Sequence, residues 1–295
     1  MTDIIQFLVT AISLGGVYAM LAIGIALVYS VMGFLNFAHG DLLAITGYAV
    51  FFGLAAGLPW PIVVVLGILA AGFGSVLMER IAFRPLRNAS PDTLMLTSFA
   101  VATALHVIFQ IGIGARPKPI TLPPFLSGAF EVGGVVIGVM QSISLVTAVV
   151  SLVVLTLFLK HTMLGMAMRA AASDFTTTRL MGIRANRVIS TSFFIAGILA
   201  GMAGILIVAQ RGSVDPLMAL NPLIKALVAA VIGGTGSLLG PVLGGLLLGL
   251  LETVFQKILP GEALLFRDPI ILSLLVAFLI MRPTGLTGSR QEPTR

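Results

Sequence analysis

The sequence predicts an all-α protein that crosses a membrane repeatedly, with eight to nine transmembrane or half-spanning helices, and three observations carry that prediction. Hydrophobic residues make up 58% of the 295 residues and charged residues only 9%, against roughly 45–50% and about 25% in an ordinary soluble domain. The apolar residues fall in blocks, at 4–31, 42–58, 62–78, 97–114, 132–159, 188–209, 223–249 and 269–281. Several of these exceed the ~20 residues that a helix needs to cross ~30 Å of hydrocarbon. The few charges sit mostly at block ends, as spans require. A water-soluble globule is excluded, and 1–295 reads as a single transmembrane domain.

The block 4–31 follows Met1-Thr2-Asp3, which has no basic flank, and is longer than a signal-peptide core. It reads as a retained first span. Orientation follows from Lys and Arg, which stay in excess on the cytoplasmic side. Arg80, Arg84 and Arg87, then Lys160, Arg169, Arg179, Arg184 and Arg187, then Arg282, Arg290 and Arg295 account for 11 of the 17. These three segments are placed inside, so the C-terminus is cytoplasmic. Three crossings before Arg80 put the N-terminus outside. Blocks 97–114 and 132–159 form a hairpin whose Pro-rich connection 115–131 lies outside, despite Arg116 and Lys118. An even number of crossings must follow Arg187. Gly233-Gly234-Thr235-Gly236-Ser237 and Pro241 interrupt block 223–249, which is split there into two segments, one only half-spanning. Block 269–281 is short for a crossing unless its helix begins nearer Leu264.

The net charge of +6 suits nucleic acid in principle, but the basic residues are dispersed singly and read as topology signals. With no cysteine there is no disulfide framework and no thiolate metal site. None of the four Lys follows a Gly, so the Gly-rich segment is no phosphate-binding loop. HExxH, GxSxG and paired carboxylates at catalytic spacing are missing, and the combination of Ser237 with His39 is a poor hydrolase pair. No catalytic, metal-ligating or cofactor-binding residue is assigned.

Interruptions matter because non-helical backbone at membrane depth is tolerated only inside protein or along a cavity. Asn36, His39 and Asp41, bounded by Gly33 and Gly40, put three polar groups between two apolar blocks. They read either as a re-entrant turn beside a translocation pathway or as a plain loop. The segment 160–187 is longer than a hairpin connection needs. Arg169-Ala170-Ala171-Ala172 and 174–181 read as short helices ending at Gly182, a surface for a cytoplasmic partner or a solvated connector. Gly240, Gly244, Gly245 and Gly249 repeat a small-xxx-small spacing along one helical face, which packs a helix closely within the subunit or against a second one. His106, Gln110, Lys225 and Glu252 are isolated polar residues within spans. Lys225 and Glu252 could pair, but snorkelling is the expectation for Lys225.

Together Val28-Tyr29-Ser30-Val31-Met32-Gly33-Phe34-Leu35-Asn36-Phe37-Ala38-His39-Gly40, the run 79–87 (ERIAFRPLR), segment 165–182, segment 233–249 followed by Glu252, and Met281-Arg282-Pro283-Thr284-Gly285-Leu286 resemble the branched-chain amino acid ABC transporter permeases, specifically the shorter, H-type subunit. The similarity runs in order from about residue 8 to 288. The resemblance implies a permease domain in a bacterial inner membrane that pairs with a second, related permease, with two cytoplasmic ATPase subunits below and a periplasmic binding protein above. ATP and Mg would be bound by the ATPases, with no cofactor in this chain and no nucleic acid partner. It also implies a coupling loop at about 160–187, carried onto Gly165, Arg169, Ala170, Asp174 and Gly182, whereas the candidate pathway at Asn36, His39, Gly40 and Asp41 rests on the polar interruption itself. Where relatives often have a basic residue after the first glycine of that loop, this chain has Met166. The implied cargo is Leu, Ile or Val. Sister permeases carry urea, short amides or other amino acids, and a secondary carrier or channel is the alternative of another class. Such carriers usually hold buried carboxylates, and here Glu252 is the acidic residue well inside an apolar block.

Overall fold

The computed structural model describes residues 2–126, 128–133, 135–234, 237, 239–282 and 285–287. The chain opens with α1 (Thr2–Met32), stopped by Gly33 in the left-handed conformation. A 3-10 turn (Phe37–His39) leads into α2 (Asp41–Ala55), and α3 (Trp60–Met78) starts on Pro59 and Pro61 and widens into a π turn (Glu79–Phe83). Ser90 caps α4 (Pro91–Gly112), whose first residue is a proline with no amide to leave unpaired. Then come β1 (Lys118–Pro119), the hairpin of β2 (Ala129–Val132) and β3 (Val135–Gly138), α5 (Val139–His161), α6 (Met163–Ser173), α7 (Phe175–Leu180) and α8 (Ala185–Arg211). The last elements are β4 (Ser213–Val214), α9 (Leu220–Gly233), α10 (Leu239–Ile258), a 3-10 turn (Gly261–Phe266) and α11 (Arg267–Met281).

Among the described residues eight helical stretches are long and apolar enough to cross a membrane, and the 14-residue α9 is a shorter ninth. This is the expected all-α membrane architecture. The split in the Gly-rich block falls after Gly233, although Thr235 and Gly236 lie outside the described residues. Pro241 does not break the chain. It sits in the first turn of α10, where a missing amide costs no helical bond. The last span reaches back to Gly261, giving 21 residues. One expectation is corrected: the block at 132–159 is not helical throughout, because its first residues pair as β2 and β3, and the helix starts at Val139. Of the basic tail, Arg290 and Arg295 lie outside the described residues.

Contacts divide the chain into two compact units. The first comprises Met1–Ala26, Pro123–Val150 and Ile224–Arg295. In it α10 is laid directly on backbone. A Cβ on Gly245 or Gly249 would run into Ala19 and Gly15 of α1, and one on Gly244 into the Ala229 carbonyl of α9. The glycines therefore serve two neighbours rather than one face, and both belong to this same chain. Gly240 meets Gly233 at the α9–α10 turn, and beyond α11 the chain returns there, with the Leu286 amide donating to the Ile232 carbonyl at 2.8 Å. Thus α9, α10 and α11 are three antiparallel passes. The hairpin is pinned at Val136, whose amide and carbonyl bond the Gln6 amide side chain at 3.0 and 2.6 Å.

The second unit comprises Leu27–Leu122 and Ser151–Leu223. Its core is α2, α3 and α8. Gly197 and Gly201 of α8 lie on Ala71 and Ile68 of α3, and Gly204 lies on Leu43 and Thr46 of α2. The β1–β4 ladder, extended by the Ile120 amide donating to the Gly212 carbonyl at 2.9 Å, joins the chain after α4 to the end of α8.

Helices in lipid associate through close contact rather than hydrophobic burial. Replacing Gly245 by Leu, which forces α10 off α1, should cost upwards of about 3 kcal/mol. The expected result is a lower yield of monodisperse protein in detergent and a lower Tm, with Gly112→Leu, a substitution into open space, as the control that stays unchanged.

Candidate functional site

The break between α1 and α2 lies in the second unit and is built around internal satisfaction of its backbone. The Asn36 side chain accepts from the Ala38 amide at 3.0 Å, capping the 3-10 turn, and the Phe37 amide donates to Ser98 Oγ of α4 at 3.1 Å. Gly40 admits the start of α9, since a Cβ there would stand 2.8 Å from Leu223 Cβ. The side chains are less well served. Asn36, His39 and Asp41 are all at most 2% exposed. Asp41 Oδ1 stands 2.7 Å from His106 Nε2, without hydrogen-bond alignment, while Asp41 Oδ2 and both ring nitrogens of His39 have no hydrogen-bond partner. Tyr48, further along α2, keeps a buried unpartnered hydroxyl as well. Sequence reasoning grouped Asn36, His39 and Asp41 but treated His106 as isolated; the structure pairs it with Asp41. Buried ionisable residues within spans are rare, because their desolvation must be compensated by pairing, by water or by a ligand.

The segment after α5 forms two short helices, as the sequence indicated. Thr162 caps α6, accepting from the Gly165 amide at 3.0 Å. Gly165 itself presses on the backbone of Phe158 and Leu159, so α6 folds back tightly on the end of α5. Met168 and Ala171 face inward, and Arg169 and Ala170 are exposed. Asp174 has a role that its charge did not reveal: it caps α7, accepting from the Thr177 amide at 3.0 Å. Gly182, with φ of 80°, ends the pair of helices. Met163, Leu180 and Met181 are each about four-fifths exposed, and Arg169, Arg179 and Arg184 of the same segment are exposed as well.

The first unit holds a buried ion cluster drawn from four helices. Lys225 of α9 bonds Glu252 of α10 and, at 3.2 Å, Asp268 of α11, and lies 5.7 Å from the ring centroid of Tyr18 on α1. The Tyr18 hydroxyl donates to the second Glu252 oxygen at 2.9 Å, and Arg267 Nε donates to Asp268 at 3.2 Å. The snorkelling expected of Lys225 is therefore wrong. Its amine stays inside because two carboxylates and an aromatic face replace the water it gave up. Tyr18 and Asp268 went unnoticed in the sequence, where no local spacing relates them to Lys225.

Eight helices long and apolar enough to span a bilayer, among the described residues, define a multi-pass membrane protein. The comparisons name its family. The sequence pattern of the family described as "Branched-chain amino acid transport system / permease component" matches residues 7–282, and the chain belongs to that family. It is 35% identical over 297 residues, 96% of this chain and 95% of the relative, to the high-affinity branched-chain amino acid transport system permease protein BraD of Pseudomonas aeruginosa. It is 32% identical over 298 residues, with the same coverage, to the corresponding protein LivH of Escherichia coli K12. A more distant similarity, 26% over 263 residues covering 80% of this chain and 73% of the relative, links it to the ribose import permease protein RbsC of Escherichia coli K12. The chain is accordingly a multi-pass transport permease component and not an enzyme.

Removing one partner of a buried pair leaves the other charge uncompensated, at a cost of about 3–5 kcal/mol. Lys225→Met should lower the Tm of the purified protein sharply, and Lys225→Met combined with Glu252→Gln should recover most of the loss. A double variant as unstable as the single one would show that the pair is not what holds these helices.

Proposed function

We propose that the chain is the H-type permease subunit of an ATP-driven importer that moves branched-chain amino acids across a bacterial inner membrane by alternating access. The observation that carries this reading is the near full-length identity to permeases of high-affinity branched-chain amino acid systems. The subunit pairs with a second permease. A periplasmic binding protein delivers Leu, Ile or Val, and two cytoplasmic ATPase subunits bind ATP and Mg; this chain holds no nucleotide or cofactor of its own. Residues 1–295 form one permease domain with its C-terminus in the cytoplasm.

On this reading each part has a task. Asn36, His39, Gly40 and Asp41 line the pathway, where a small zwitterion shedding water needs polar partners that the helices have not already used. The unpaired atoms of His39 and Asp41 supply them. Gly165, Arg169, Ala170, Asp174 and Gly182 form the ATPase-coupling loop. Gly165 and Gly182 set the bends, Asp174 fixes α7, and the exposed Arg169 and Ala170 face the partner. Gly240, Gly244, Gly245 and Gly249 hold α10 against α1 and α9. The link to a ribose permease favours one second reading, a different small polar cargo on the same machinery.

Proteoliposomes holding both permeases should take up leucine only with ATPase, binding protein and ATP all present. Uptake without ATPase would make the protein a self-sufficient carrier, and ATP-dependent uptake of urea, acetamide or ribose in place of leucine would reassign the cargo. Within that system Asn36→Leu should lower uptake roughly tenfold, a barrier rise of about 1.4 kcal/mol, with assembly and basal hydrolysis intact. Asp174→Asn, which keeps the cap, should preserve α7 and ATPase binding better than Asp174→Lys; identical, fully active variants would leave the loop a mere connector.

A further inference from the structure

The π turn at Glu79–Phe83 is the strongest feature that the reading above leaves unused. Its backbone is one residue wider than an α-helical turn, with the Arg84 amide donating to the Glu79 carbonyl at 2.7 Å. Such turns are rare and are found mostly at functional positions. Continuing as an α-helix would rotate every later residue by about 100°, so the widened turn decides where the following segment goes. That segment returns: Arg87 bonds Glu79 through one guanidinium nitrogen and Asn186 of α8 through another. The remaining Glu79 oxygen accepts from Ser190 of α8 at 2.9 Å. The Glu79 side chain is wholly buried. A carboxylate with no solvent and partners on two other segments is a clasp between them.

The same turn carries a second contact. Phe83, also fully buried, packs its ring 5.7 Å from that of Phe193 on α8 and 5.1 Å from that of Phe34. Phe34 stands two residues before Asn36, and Asn186 stands four residues after Gly182. All of these residues belong to the second unit. Polar contacts from the start of α8 to Glu79 and ring contacts from Phe83 to Phe34 are thus joined by the backbone of the π turn, and the backbone of Phe34–Asn36 carries them to the break between α1 and α2.

We propose that Glu79 is a positioning residue that binds the basic end of α3 to α8, so that displacement of α6 and α7 reaches the Asn36–Asp41 break through Phe83. This rests on the functional reading above, with α6 and α7 receiving the ATPase stroke. A loose joint at Glu79 would let α8 move while the break stayed still, and ATP would be hydrolysed without transport.

The test removes the direct bond from α8 to the clasp. Ser190→Ala takes away the hydroxyl that donates to Glu79, leaves the Glu79–Arg87 pair intact and lies outside both the pathway and the coupling loop at 160–187. In the reconstituted complex, basal ATP hydrolysis and co-purification of the ATPase should stay at parental levels, while leucine taken up per ATP hydrolysed falls by about 2- to 30-fold. Glu79→Gln, which keeps a weaker bond to Ser190, should fall between the two. Hydrogen exchange on the full-length permease alone in nanodiscs supplies a readout that a local structural role would not move. In Ser190→Ala, amides at 79–87 and also at 33–39 should exchange faster. Parental exchange at 33–39 overturns the linkage, whatever uptake does. Faster exchange there with parental uptake per ATP overturns its use in transport. If parental uptake needs no ATPase, the functional reading fails instead, and the exchange result still decides whether the linkage exists.

Discussion

Lipid gives a helix no reason to leave it for another apolar surface, so helices in a membrane hold together by how closely their backbones can approach. Here that approach is made by glycine. Gly245 and Gly249 bring α10 onto α1, and Gly197, Gly201 and Gly204 bring α8 onto α3 and α2. In each unit the remainder depends on these contacts. Side chains such as Lys225 or Glu79 meet their partners across helices only because the helices beneath them nearly touch, and a methyl group at the wrong position would separate both the backbones and the charges. Helices α4 and α11, which lack such stripes, keep most of their apolar surface outside the packed protein.

That packing is what makes a polar interruption affordable at membrane depth. At the α1–α2 break the backbone is satisfied by a side-chain cap, a bond from Phe37 to Ser98 and the close seat of Gly40. The side chains of His39 and Asp41 are left with unpaired atoms. The asymmetry is informative. A fold that merely needed a turn here would have filled those positions with apolar residues at no loss, since an unpaired buried polar group costs free energy without return.

Much of this architecture could be read from sequence, because membrane spans announce themselves through block length and breaks through Gly, Pro and polar residues. The helix pair before Gly182, the division of the Gly-rich block and the extension of the last span all followed from such local signals. What stayed hidden involved residues far apart in the chain. Lys225 pairs with Glu252, an option the sequence offered beside snorkelling, but its bond to Asp268 on a third helix and the bond of Ser190 to Glu79 across 111 positions are encoded by no periodicity within a segment. The β2–β3 hairpin was missed for a different reason. Its valines are apolar enough to prolong the neighbouring span, and hydropathy does not distinguish a short strand from a helix start. Asp174 entered through the family resemblance, yet its capping position before Thr177 was readable from residue type and spacing.

The two buried ion clusters share one further property, which concerns the electric field across the membrane. Counted by formal charge, Lys225 and Arg267 balance Glu252 and Asp268, and Arg87 balances Glu79. A membrane potential of 100 mV does about 2.3 kcal/mol of work on each elementary charge carried across, but a neutral set moving as a body gives it nothing to act on. These clusters can therefore travel with their helices without drawing on the potential or opposing it. Any displacement of such a set as a whole is electrically silent.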